Sequence, residues 1–434
     1  MSLKGRLGRL IGEKDGPSNA GTEPEQTHGF REKIESVMAR RERIAPTGTA
    51  GAVRRTKSLD AVIAGEEAGT SAGTFFLSRA ALTGDDRHGH CRICDLAHTS
   101  MGAAAFLSGH KTLKDCSIEG GLFLDTETTG LAGGTGTFPF LIGLGWLEQG
   151  SFMTCQLFAR DFSEEKAMLT YLGELASTKD FLVTFNGKTF DLNLLSTRFI
   201  LSRCQDTLSA LPHIDLLHPS RRMFSHRLEN ARLATIEADL LGVRRNGDVP
   251  GFEIPQRYFD WLRSHDARPL EDVFTHNRLD VVSMATLLKY LTDLVEGCED
   301  IDRGHHGDLL KLAALIHERG DLEKAGRIFE ALVLSRNSEV ASGARRSLSL
   351  VHKKARRREE AVKLWQHLLA ENPRDPFPAL ELAKHYEHHT REIEKALEIV
   401  QDLLGKAARL SNAERALLEH RLRRLRHKVS SDSD

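Results

Sequence analysis

An alternation of strand and helix patterns that starts at Gly121 constrains the fold of this chain more than any other feature. Short runs of β-branched, aromatic and other apolar residues predict five strands: Leu122–Asp125, Phe138–Leu147, Phe152–Phe158, Phe181–Phe185 and Ile214–Leu217. Helical periodicity follows the third run and continues between the later ones: Glu164–Ala176, Leu192–Leu201, Leu233–Leu241 and about Leu270 to Val295. We therefore predict an α/β fold, with a mixed five-stranded sheet flanked by helices and an active site at the carboxyl ends of its strands.

The composition excludes several classes of protein. A length of 434 residues suggests two or three domains, and an apolar content of 40% is enough to form a core. No apolar run approaches the roughly 18–20 residues that cross a bilayer, and the N-terminus lacks the apolar segment of a secretory signal. Six scattered cysteines do not suggest a disulfide framework. We expect a soluble, cytoplasmic protein with no membrane association.

Two further segments flank the α/β region, whose bounds, about residues 75–296, are those of the family resemblance given below. Residues 1–70 are rich in Gly, Ser, Thr, Ala and Arg, and this composition predicts a disordered basic tail with at most a short amphipathic helix at Phe30–Arg43. After about Gly307 the strand patterns vanish, so residues 305–428 are expected to be helical.

The helical segment contains a repeated pattern. Alanine is followed four positions later by a large apolar residue, and this pair recurs at spacings of 36 and 35 residues: Ala325 and Phe329, Ala361 and Trp365, Ala396 and Val400. The pattern resembles the tetratricopeptide (TPR) helix-turn-helix repeat, in which small residues let paired helices pack closely. A generic helical bundle is the alternative. The resemblance implies a concave surface for a protein partner.

Carboxylates at the ends of predicted strands indicate a metal site. Asp125 and Glu127 end an apolar strand in the segment GLFLDTETTG, and residues two apart on a strand point to the same face. Two such carboxylates repel each other unless a cation lies between them, and hard oxygen ligands suit Mg²⁺ or Mn²⁺. Asp191 follows a second strand, while His276 and Asp280 share one face of the long helix.

These three segments, DTETTG, NGKTFD and HNRLD, resemble the motifs of the DEDD superfamily of 3′–5′ exonucleases, which have a ribonuclease-H-like fold. The segments DTETTGLAGGTGTFPFLIGLG, HIDLLHPSRR and RRNGDVPGFEIPQRYF resemble more specifically the YprB type of this domain. The resemblance implies that Asp125, Glu127, Asp191 and Asp280 bind two divalent ions, Mg²⁺ or Mn²⁺, and that His276 orients or deprotonates the attacking water. His276 lies four residues before the last aspartate. The histidine-type members of the superfamily have it five before, so its role as base stays open.

Other polar groups have weaker claims to a function. Cys91 and Cys94, with nearby histidines, contain elements of a zinc site, but a lone CxxC without a second pair is weak evidence. Asp215 and His218 end a predicted strand and either approach the site or lie on the surface. The pairs Arg221-Arg222 and Arg244-Arg245 could contact phosphate groups, but solvent-exposed charges that only keep the protein soluble explain them equally well.

The leading functional hypothesis is a metal-dependent 3′–5′ exonuclease that hydrolyses single-stranded DNA or RNA. The alternative is an idle nuclease fold that acts as an adaptor through the TPR-like repeats; the retention of all four carboxylates argues against it. Endonucleolytic cleavage on the same fold is a third option. No motif distinguishes DNA from RNA. The net charge of −1 does not exclude a nucleic-acid partner, because an acidic central segment is averaged with basic flanks, notably Lys353–Arg358 and Arg421–Lys428.

Overall fold

The computed structural model of the protein describes residues 56–130, 136–302, 304–406 and 411–431. The first 55 residues of the predicted tail, with the predicted helix at Phe30–Arg43, lie outside the described residues. Within the described ranges, no helix is long and apolar enough to cross a membrane.

A seven-stranded sheet forms the centre of the α/β region. The described part of the chain has nine strands, in chain order: β1 (Glu66–Thr70), β2 (Gly73–Leu82), β3 (Arg87–His88), β4 (Cys91–Arg92), β5 (Gly121–Thr128), β6 (Pro139–Glu148), β7 (Ser151–Phe158), β8 (Phe181–Thr184) and β9 (His213–Asp215). The main sheet has the order β1-β2-β7-β6-β5-β8-β9, and β3 pairs only with β4. Neighbouring strands are antiparallel from β1 to β5, whereas β5, β8 and β9 run parallel. The predicted mixed sheet with flanking helices is confirmed.

The sheet has two more strands than the five predicted. The hairpin of β1 and β2 adds to the edge of β7, where Phe76 pairs with Phe158. Phe75, Phe76 and Leu77 are at most 2% exposed, so burial of these side chains anchors the additional strands. The predicted tail extended to residue 70, but residues 57–70 include β1, and Leu59 and Ile63 are buried in the core.

Seven α-helices belong to the α/β region as the structure describes it: α1 (Met101–Ser108), α2 (Glu165–Ala176), α3 (Asp191–Ser202), α4 (Leu217–Phe224), α5 (Leu233–Ile236), α6 (Ile254–Ser264) and α7 (Leu270–Glu296). The chain continues directly from α5 into a π-helical turn at Glu237–Leu241. Apolar side chains fill both faces of the sheet, because Phe123 of β5 belongs to one core and its neighbours Leu122 and Leu124 belong to the other. The long helix α7 contributes to both cores and packs across β5 and β6.

Seven helices form the C-terminal region as described: α8 (His306–Glu318), α9 (Leu322–Leu332), α10 (Ser338–Lys354), α11 (Arg358–Glu371), α12 (Pro376–His385), α13 (Ile393–Lys406) and α14 (Asn412–Ser431). Each packs against the next along the chain. All six repeat positions named above are buried, at no more than 2% exposure. The all-helical character is therefore confirmed, while the TPR assignment stays a prediction. The core of the α/β region continues into α8, α9 and α10, so the two regions share apolar packing.

Candidate active site

Strand β5 presents two carboxylates beside each other. Asp125 and Glu127 are partly buried on one face, and the intervening Thr126 is buried on the other. Asp125 pairs with Gly143 of β6, and an irregularity shifts the register between Glu127 and Thr128, after which Thr128 pairs with Pro139. The alternation of a strand explains why an Asp-x-Glu sequence places both side chains in one site.

A buried asparagine fixes Asp125. Asn277 of α7 is fully buried; its Nδ2 donates to Asp125 Oδ2 over 2.9 Å, and its Oδ1 accepts from Gln156 Nε2 over 2.9 Å. Asn277 can lie this close to β6 only because residue 143 is a glycine. A Cβ atom on Gly143 would lie 2.2 Å from Asn277 Oδ1. Gly143 therefore allows α7 to pack directly on β6, and Asn277 holds the first carboxylate in place.

Asp191 enters from the loop between β8 and α3. It is the first residue of α3, is 5% exposed, and accepts a 2.5 Å hydrogen bond from Thr126 Oγ1. The loop is held by Asp215, which accepts from the backbone N–H groups of Asn186 (2.8 Å) and Lys188 (3.1 Å). Asn186 has φ of +70°, a conformation that asparagine tolerates better than most residues. Asp215 thus shapes the segment that delivers Asp191.

Helix α7 contributes His276 and Asp280 one turn apart. His276 Nε2 lies 3.6 Å from Asp280 Oδ2 and 4.0 Å from Glu127 Oε1, while Nδ1 lies 2.8 Å from Asp248 Oδ1. A carboxylate only accepts, and the contact to Asp248 is shorter than the 3.3 Å contact between Arg245 Nη1 and the same nitrogen, so we assign the ring proton to Nδ1, as a donor to Asp248. The Nε2 lone pair then faces the cluster of Asp125, Glu127, Asp191 and Asp280, which we call the carboxylate cluster.

Arg245 is a buried cation beside this cluster. Its side chain is 7% exposed, and Nη2 donates to both Asp280 Oδ1 and Glu237 Oε1. Nη1 lies 3.2 Å from Asp248 Oδ2. Burial alone would lower the pKa of Arg245, but the charges of Asp280 and Glu237 raise it above its usual value. Arg245 therefore stays charged and offsets part of the negative charge at Asp280 and Asp248.

Even so, the carboxylate cluster holds more negative charge than its surroundings balance. The pKa values of Asp125 and Glu127 are raised well above normal. Burial is the main cause, and repulsion between the carboxylates is the second. Burial also raises the pKa of Asp280 despite Arg245, and that of Asp191 to about 6 despite its hydrogen bond from Thr126. Carboxylates whose ionisation is this unfavourable gain most from a divalent cation.

Comparisons with known proteins identify the family of this chain. The sequence profile of the RNase_H superfamily matches residues 122–292. The protein YprB of Bacillus subtilis (strain 168) is 36% identical over 315 residues, which cover 71% of this chain and 75% of YprB.

This chain belongs to the YprB family.

Its α/β region is an RNase H-like domain. Membership of the superfamily supports a nuclease in general, and RNase H-like nucleases generally use divalent metal ions. The candidate residues Asp125, Glu127, Asp191, His276 and Asp280 all lie within the matched range.

Four residues of the site in this YprB-family protein were not predicted from its sequence. Glu237, Asp248, Asn277 and Gly143 were not identified, and Arg245 was noted only as part of a charged pair. One signal was available: Asn277 lies inside the quoted HNRLD motif.

The CxxC cysteines, which are weak candidates for a zinc site, belong to no three-ligand group among the described residues. Cys91 lies in β4 and Cys94 in the turn after it, and both are free thiols. Burial, followed by repulsion from Asp95, raises the pKa of Cys91 to about 11, which disfavours the thiolate that binds metals. Among the described residues, one group alone brings three His, Cys, Asp or Glu ligand atoms within 4.8 Å of one another, and it contains neither cysteine.

Proposed function

We propose that this protein is a divalent-metal-dependent 3′–5′ exonuclease that hydrolyses phosphodiester bonds of single-stranded DNA or RNA. The observation that carries the proposal is the convergence of Asp125, Glu127, Asp191 and Asp280 from three separate elements, with the Nε2 atom of His276 directed at them. Nucleic acid is the expected partner, with the RNase_H superfamily match as support.

The residues present fit divalent ions. The carboxylate cluster offers only hard oxygen donors, and their raised pKa values reflect negative charge that a cation would relieve. Asp125, Glu127, Asp191 and Asp280 would hold the ions, either Mg²⁺ or Mn²⁺. The resemblance to the DEDD superfamily implies a pair of such ions, which lie about 3.5–4 Å apart in two-metal sites.

Such ions, when bound, would supply charge stabilisation for the attacking and leaving oxygens. Side chains of the protein carry out the proton transfer and hold the reacting groups in position. His276 accepts a proton from the attacking water at Nε2, because Asp248 holds the Nδ1 proton and so fixes the tautomer. As His276 becomes positively charged, Asp248 on one side and Asp280 on the other stabilise the imidazolium. Arg245 keeps Asp280 and Asp248 in place.

A digestion panel tests the proposal. Labelled single- and double-stranded DNA and RNA are incubated with the full chain in Mn²⁺ or EDTA, and the products are resolved at nucleotide resolution. We expect metal-dependent release of mononucleotides from 3′ ends, abolished in Asp125→Ala and Asp191→Ala. The exposed Asp239→Ala serves as the matched control and should retain full activity.

Two outcomes would redirect the assignment. Cleavage of circular single strands would exclude a purely exonucleolytic enzyme and favour the endonuclease. Binding of nucleic acid or protein without any metal-dependent hydrolysis, equal in wild type and both variants, would favour an adaptor that acts through the helical repeats.

A further inference from the structure

A second group of metal-ligating side chains lies far from the carboxylate cluster in the chain, where the RNase H-like domain meets the helical region. His226 follows α4, while His305 and Asp308 lie at the start of α8. Their ligand atoms all lie within 4.8 Å of one another. We propose that His226, His305 and Asp308 bind a transition-metal cation of the Zn²⁺ type.

The distances fit a metal better than hydrogen bonds. Both His226 Nε2 and His305 Nδ1 lie 3.4 Å from the same atom, Asp308 Oδ1. An N–H···O hydrogen bond normally spans about 2.7–3.2 Å. Ligands of a tetrahedral ion bound at about 2.0–2.1 Å are separated by roughly 3.3–3.4 Å, which matches the observed spacing.

The chemical types of the three ligands also suit such a cation. Two imidazoles and one carboxylate are a common ligand set for Zn²⁺ and leave a fourth position for water. The His305 side chain is 53% exposed, which gives an ion and a water access from solvent.

Two neighbouring residues hold the group in this geometry. Arg227 donates to both oxygens of Asp308, over 2.8 and 2.7 Å, and so fixes the carboxylate, which is 1% exposed. Such outer partners orient metal ligands in many sites. Gly307 leaves room for the imidazole, because a Cβ atom there would lie 2.3 Å from His226 Nε2.

The position implies a structural consequence. The three ligands come from two segments that are about eighty residues apart in the chain, one in each region. A bound ion would therefore cross-link α8 to the segment after α4 and stabilise the folded chain in proportion to the logarithm of its concentration.

Zinc titration of the untagged full-length protein tests the site. Calorimetry is carried out with Mg²⁺ in excess, so that the hard carboxylate cluster does not compete for Zn²⁺. We expect one tight Zn²⁺ equivalent in wild type and an affinity at least about tenfold lower in His305→Ala and His226→Ala. Gly307→Ala should also weaken binding although it retains all three ligands.

Controls separate this site from other sources of zinc affinity. His367 is similarly exposed and lies 3.4 Å from Glu371 Oε1, but it belongs to no three-ligand group among the described residues, so His367→Ala should bind as wild type does. Zn²⁺ should also raise the melting temperature of wild type but not of His305→Ala. Wild-type affinity in His305→Ala or Gly307→Ala, or loss of binding in Cys91→Ser instead, would overturn the proposal.

Discussion

Replacement of Asp191 by asparagine should stabilise the metal-free protein at neutral pH. The side chain is 5% exposed, and its pKa is raised from 3.8 to about 6, chiefly by burial. Raising the pKa from 3.8 to about 6 corresponds to about 3 kcal/mol, at about 1.36 kcal/mol for each factor of ten in the ionisation constant. Asparagine preserves the oxygen that accepts from Thr126 and carries no charge, so the Asp191→Asn variant avoids this cost.

The pH dependence of this gain follows from the direction of the shift. A folded-state pKa above the unfolded value means that the contribution to stability is fully present below about pH 4 and is lost as the pH rises through about 6. The variant should therefore gain up to about 3 kcal/mol over wild type at pH 7.5, and the gain should shrink toward zero near pH 4.

Thermal unfolding in EDTA at pH 7.5 and pH 4.5 measures this difference. The variant should melt several degrees above wild type at the higher pH and close to it at the lower one. Addition of Mn²⁺ should reverse the order, because the ions stabilise only the form that binds them. Asp239→Asn, at an exposed position, should shift stability by less than about 0.5 kcal/mol. A variant no more stable than wild type at pH 7.5 in EDTA would refute the reasoning that Asp191 is held in an unfavourable ionised state.

Three further substitutions test the contacts around the cluster. Asp248→Asn removes the anionic acceptor of the His276 Nδ1 proton and should lower kcat by roughly 10–100-fold with little change in KM, as measured by nucleotide release between pH 6 and 9. Gly143→Ala forces Asn277 away from β6 and should lower stability by about 1–3 kcal/mol as well as activity, which thermal melting and the digestion assay detect. Arg245→Met leaves buried carboxylates unpaired and should cost about 3–5 kcal/mol in EDTA, partly restored by Mn²⁺ in the same melting assay.

The sequence predicted the parts of the site that depend on local periodicity. Asp125 and Glu127 share a face because side chains alternate along a strand, and His276 and Asp280 share one because a helix turns every 3.6 residues. The five strands and the long helix were predicted from the same periodicities, within a few residues of their observed bounds. These assignments needed no knowledge of tertiary structure.

The missed features depend on contacts between distant segments. Gly143 is informative only once α7 is known to cross β6, and Asp248 only once its loop is known to reach His276. The β1–β2 hairpin was overlooked because its stabilisation comes from packing against β7 and the core behind it rather than from its own pattern. Sequence periodicity specifies elements, whereas these residues act through the way in which the elements meet.

A series of buried hydrogen bonds behind Arg245 explains how a cation is retained so close to the proposed metal ligands. Glu237 accepts from Arg245 and from Ser283 Oγ, and His88 Nε2 lies 2.6 Å from the same hydroxyl. Glu237 is 1% exposed and lies in the π-helical turn, a departure from regular helix that often marks functional positions. Burial, followed by the charge of Arg245, lowers the pKa of His88 to about 4, so His88 adds no second positive charge. Arg245 thus belongs to a network that reaches from Asp280 to strand β3.

The basic C-terminal stretch has a narrower role than its charge suggests. Arg421, Arg424 and Lys428 all donate to Glu387, whose side chain is fully buried. The internal carboxylate balances one of their three positive charges, and a contact of these side chains with phosphate would have to compete with the ion pairs that are already formed. Arg423 and Arg426 on the same helix are exposed. If α14 contributes to nucleic-acid binding, the salt dependence of affinity should respond to removal of these two arginines, whereas removal of Arg421 should affect stability first.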